Sequence, residues 1–253
     1  MNFSPCRKIN SVLCMSIVCE FQMSGNEALF DVFRAQYEVQ QEKEPFFDMK
    51  EEPKSMNVIR LIKKAVHADE YHENDIEVYV YRKSFVIKNF AYTTWNEVTE
   101  FIRKILPYFD GVKNDLAKMQ MTYFDMFTAE ADMYELKNLL QQRDIFPSYI
   151  FHCREHIKTR TVLPAQHILP DKKDFHVAVT VEAVPPYADA SRDAHHRVHI
   201  TTSIQKEIMN QHLQYSDKNT IYAMLNELHD ELKQTFDYML DENISKNLAL
   251  YKA

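Results

Sequence analysis

Glycine is nearly missing from this chain: two in 253 residues, Gly25 and Gly111. Loops that cradle phosphates need glycine so that the backbone can approach the ligand, and neither G-x-x-x-x-G-K nor G-x-G-x-x-G occurs. The strained strand-to-helix turn of serine hydrolases, G-x-S-x-G, is missing too. P-loop nucleotide hydrolysis, Rossmann cofactor binding and elbow-type hydrolysis are therefore excluded, and turns must be made with Asn, Asp and Pro. Cysteine is sparse as well. Cys6, Cys14, Cys19 and Cys153 show no C-x-x-C spacing, so they read as reduced, small apolar residues of a cytosolic protein. There is no basic excess. The formal net charge is −7, which argues against nonspecific nucleic-acid binding.

Long apolar runs are lacking too, and none is long enough to cross a membrane. Arg7 and Lys8 precede Val12 to Cys19 in the manner of a short leader peptide. However, Glu20 ends that run, no small-x-small site follows, and its β-branched residues suit a buried strand. What the chain has is 45% hydrophobic and 12% aromatic residues, enough for a sizeable core.

The periodicities predict a strand over Ser11 to Met23. A helix opened by the capping box Ser24-x-x-Glu27 follows, running to about Glu38 with Leu29, Phe33 and Tyr37 on one face. Gln40 to Ser55, charged and carrying Pro45 and Pro53, reads as a long loop, and Met56 to Tyr71 fits helix or strand. Ile76 to Tyr81 and Ser84 to Lys88 form a hairpin around Arg82-Lys83. Thr94-x-x-Glu97 starts a helix with Trp95, Val98, Phe101, Ile102 and Ile105 on its inner stripe. Gly111 separates it from a strand, Leu116 to Tyr123, that runs into an aromatic-acidic corner and then a helix over about Met133 to Gln142. Three strands follow, Ile150 to Leu163, Asp174 to Val184 and Arg197 to Ile204, with an exposed loop over Pro185 to Asp193. The last helix, Asn219 to Leu240, carries Ile221, Leu225, Leu228, Leu232, Phe236 and Met239 as its stripe. These elements predict one α+β domain: a curved antiparallel sheet packed on long helices. Its two halves, about 11–110 and 115–253, share the order strand, helix, strands, helix, as a duplicated unit would.

Four short patterns recur in order along the chain: Val18-Cys19-Glu20-Phe21; Tyr92 with Trp95; Met121-Thr122-Tyr123-Phe124-Asp125-Met126-Phe127; and Leu228-His229-Asp230 with Phe236. Together they resemble a sporadically distributed bacterial family of uncharacterised proteins about 250 residues long. The central pattern of that family is Leu-Arg-Tyr-Asn/Asp-x-Phe. Here Met-Thr replaces Leu-Arg, and an extra residue separates Tyr123 from Asp125. The resemblance implies no reaction. Its sporadic spread implies an accessory setting, such as phage defence or a toxin–antitoxin pair.

Histidines supply the candidate chemistry. His176, His195 and His199 lie on polar strand faces near Glu182 and Asp193, a donor set suited to zinc or another borderline metal. His152 and His156 are four apart without a helix to align them, and surface histidines are the plainer reading. His229, at the edge of the last stripe, can join Tyr123 and Asp125 in a constellation that defines the fold; as a general base it would need an orienting carboxylate and a pocket. Trp95 and Phe236 complete the fold or binding candidates, with Trp95 expected in the core. Lys54, Arg60, Lys63 and Lys64 form a basic strip that reads as a solvated face. The expected function is that of a non-catalytic cytosolic interaction protein with a protein partner and no cofactor. A metal-dependent hydrolase and a nucleic-acid-binding module are the alternatives.

Overall fold

The computed structural model describes residues 3–5, 11–22, 28–43, 48–51, 58–64, 73–113, 115–130, 134–141, 145–152, 156–164, 174–184, 195–208, 217–246 and 248. The class is α+β, with a large antiparallel sheet that does not close into a barrel. The strands are β1 (Ser4–Pro5), β2 (Val12–Phe21), β3 (Asp48–Glu51), β4 (Ile59–Lys64), β5 (Asn74–Val80), β6 (Ser84–Asn89), β7 (Leu116–Glu130), β8 (Ile157–Pro164), β9 (Phe175–Val184) and β10 (His195–Glu207). The helices are α1 (Leu29–Lys43), α2 (Trp95–Ile105), α3 (Lys218–Met239) and the single turn α4 (Glu242–Ser245). Among the described residues the strand order is β3-β4-β5-β6-β2-β7-β10-β9-β8, with β1 added on β7.

Backbone bonds set the registers. The hairpin β5–β6 closes with Tyr81 N–H donating to the Ser84 carbonyl at 2.8 Å. On the other side of β6, β2 pairs antiparallel, with Ile17 opposite Ile87 and Cys19 opposite Phe85. Met126 N–H reaches the Ser11 carbonyl at 2.8 Å and Gln22 N–H the Asp115 carbonyl at 2.9 Å, so β7 descends as β2 ascends. Ile208 N–H to the Ala117 carbonyl, 2.9 Å, sets β10 against β7 in the same sense. Thr94 caps α2 as its capping box predicts, its hydroxyl accepting from Glu97 N–H at 3.4 Å. Val98, Phe101, Ile102 and Ile105 are buried along that helix, and every predicted stripe residue of α3 is buried.

The described chain divides into two compact units. One comprises Cys14–Met121 and Gln205–Leu228; the other comprises Met1–Leu13, Thr122–Ile204 and His229–Ala253. In the first, Phe33 of α1 packs on Phe109 at 5.6 Å, and Phe109 stacks on Phe85 at 4.2 Å between centroids. In the second, Phe127 of β7 stacks on Phe236 of α3 at 6.5 Å. Cys14 and Cys19 are buried free thiols, and burial pushes Cys19 up to about 12. Cys6, Cys153, the box Ser24 to Glu27 and the loop Pro185 to Asp193 lie outside the described residues.

Several local expectations are corrected. The stretch read as a loop from Gln40 carries α1 on to Lys43, where Gln41 and Tyr37 bond across one turn at 2.9 Å, and then β3. The Pro and charge signals there were outweighed by good helix formers and by β4, on which β3 pairs. Residues 59–64 resolve to strand. β7 does not turn at Tyr123 but runs unbroken to Glu130. Partners across the sheet, including β1 opposite Phe127 and Thr128, satisfy its backbone beyond the expected corner. The helix placed near Met133 is a 3₁₀ turn, Leu136–Asn138. The strand placed at Ile150 begins at Ile157, after a second such turn, Ser148–His152.

Gly111 sits at φ 101°, where an added Cβ would meet only ordinary contacts with Val32 and Gln36. The strain of Gly111→Ala is therefore in the backbone, and the expected loss is about 1–2 kcal/mol of unfolding free energy. A denaturant midpoint unchanged by the substitution would contradict this.

Candidate functional site

Tyr123 on β7 and His229 on α3 come together as the sequence suggested. The phenolic oxygen lies 2.6 Å from His229 Nδ1, and the rings meet edge to face at 6.1 Å. His229 is 8% exposed. Burial pushes its pKa down to about 4, and the Lys233 ammonium adds to the effect. At neutral pH the ring is therefore uncharged. It hydrogen-bonds a buried phenol without placing a positive charge in the core.

Alternation along β7 puts Asp125 on the same face, between Tyr123 and Phe127, both of which contact α3. The Asp125 side chain is 1% exposed. Its Oδ1 accepts from the Ser11 hydroxyl at 2.7 Å, and Oδ2 has no partner among the described residues. Burial drives its pKa up to about 7, against the opposing Ser11 hydrogen bond. Thr202 on β10 and Thr235 on α3 also carry buried hydroxyls without partners among the described residues. The three expected residues thus share one buried layer, but Asp125 bonds to Ser11 rather than orienting His229. A catalytic base needs such an orienter and access to substrate; this base is sealed in. Asp125 is a strand residue and caps no helix.

Trp95 departs from expectation. It is half-buried at the first turn of α2 rather than within the core, and its indole N–H donates to Asn226 Oδ1 on α3 at 2.7 Å. Phe236 is fully buried against Phe127. In the basic strip, Arg60 is paired with Glu77 at 2.6 Å and lies over Tyr79, while Lys54 is outside the described residues.

The metal candidates fall on the outer face of β9 and β10. His176 stands exposed opposite Pro164 of β8, His195 is exposed at the start of β10, and His199 is half-buried. Burial holds His199 below its ordinary range; Glu182 opposes this, and Arg197 adds to it. Glu182 is engaged by Lys158 at 2.8 Å and His156 at 3.2 Å, which hold its carboxyl below the usual range. Among the described residues no three His, Cys, Asp or Glu side chains are placed to share one metal ion.

β8 ends the described strand path. Its inner residues Ile157 and Thr159 are buried, while Lys158, Arg160 and Val162 project outward. Val162 is 59% exposed, as is Tyr149 in the turn before the strand. Thr161 ties that turn region to β8 by a hydroxyl bond to the Ile145 carbonyl at 3.0 Å. Lys158 is neutralised by Glu182, whereas Arg160 has no ion-pair partner among the described residues.

No protein-family model matches this chain, and no curated protein is similar to it.

Sequence reasoning found the Tyr123–His229 pair through the helical stripe and the aromatic strand. It missed the significance of Arg160 and Val162. Alternation in Ile157-Lys158-Thr159-Arg160-Thr161-Val162 marks a half-exposed strand, but only sheet order shows that this strand ends the path among the described residues.

Proposed function

We propose that this chain is a non-catalytic interaction module that takes up an extended segment of a partner protein along β8. The observation that carries the proposal is a strand at the end of the described strand path whose outer face presents Arg160, without an ion-pair partner among the described residues, beside the exposed Val162. Strand addition draws affinity from main-chain hydrogen bonds and specificity from alternate side chains. A segment seated here would place an acidic residue against Arg160 and an apolar one against Val162. A second copy of this chain is a poor occupant, because β8 against β8 brings the Arg160 side chains of the two copies together as like charges. The buried, neutral state of His229 and the burial of Asp125 support a structural role for the residues that otherwise look most catalytic. A module of this kind suits an adaptor, an antitoxin or a dedicated chaperone in a bacterial defence setting.

Selection from a random peptide-display library tests the proposal. Enriched peptides are expected to alternate acidic and apolar residues. Their affinity should fall about tenfold or more for Arg160→Glu, and further when Val162→Lys is added. Equal binding by the folded double variant, or a selection that enriches no common pattern, would rule out this edge as the binding surface.

A further inference from the structure

We draw no further inference here: the strongest candidate, the buried polar oxygens of β7, β10 and α3 (Asp125 Oδ2, Thr202 Oγ1 and Thr235 Oγ1) that lack hydrogen-bond partners among the described residues, belongs to the site already described, and nothing among the described residues shows an opening through which a ligand would reach it.

Discussion

Replacing Leu232 with alanine is expected to lower the unfolding free energy by about 2–5 kcal/mol, the usual range for truncating a fully buried leucine. Leu232 is 0% exposed, one turn beyond His229 on the stripe of α3, with Leu228 and Phe236 also buried beside it. Removing its branched end takes away apolar area worth roughly 1.5–3 kcal/mol and leaves a cavity that the surrounding side chains close only in part. His229→Ala removes a ring that is slightly exposed and one hydrogen bond to Tyr123, so it should cost less and leave the fold intact. Urea denaturation of the two variants checks the order. If Leu232→Ala kept its midpoint, the α3 stripe would not be part of the core.

Asp125→Asn is expected to stabilise the protein at alkaline pH while changing little near pH 4. The Asp125 carboxyl holds its proton up to about 7, whereas in the unfolded chain it would release it near the ordinary value of 3.8. Between those values the folded state binds more protons than the unfolded state, so the contribution of Asp125 to stability falls as pH rises and levels off above 7. The shift corresponds to about 4 kcal/mol as an upper scale. The neutral amide keeps an acceptor for the Ser11 hydroxyl without a buried charge. The stability difference between variant and parent should therefore grow from about pH 4 to about pH 7 and level off above it. His229 works in the opposite direction: its pKa is depressed from 6.5 to about 4, so the unfolded state binds the extra proton there, and stability is lost as pH falls through that window. The two windows overlap, so in the parent these contributions largely cancel between about pH 4 and 6.5. Asp125→Asn should unmask the acid loss caused by His229. A difference curve that stays flat from pH 4 to pH 8 would mean that Asp125 is ionised in the fold.

Strong local periodicity made part of this architecture legible. The β-rich runs on either side of Arg82-Lys83, the capping Thr94, the strict alternation from Phe175 to Val181 and the stripe of α3 each contain their own signal, because burial on one face imposes a period of two or of 3.6 residues. Where the signal was weak or mixed, tertiary partners decided. β7 passes the Tyr123-Phe124-Asp125 corner as strand because β1, β2 and β10 supply hydrogen bonds along it. β3 forms in a charged stretch because β4 lies beside it. Trp95 fits the apolar stripe of α2, yet its indole N–H needs an acceptor and finds Asn226 at the helix edge.

By itself, the sequence determined the α+β class and the faces of its amphipathic elements, since these depend on residues near one another in the chain. Only the tertiary structure decided which polar groups are buried and which are reachable. It placed Asp125 in the core beside Ser11, 114 positions away in sequence, and left β8 at the end of the strand path with Arg160 facing outward. Desolvation and edge position are properties of long-range packing, which no local pattern of residues encodes.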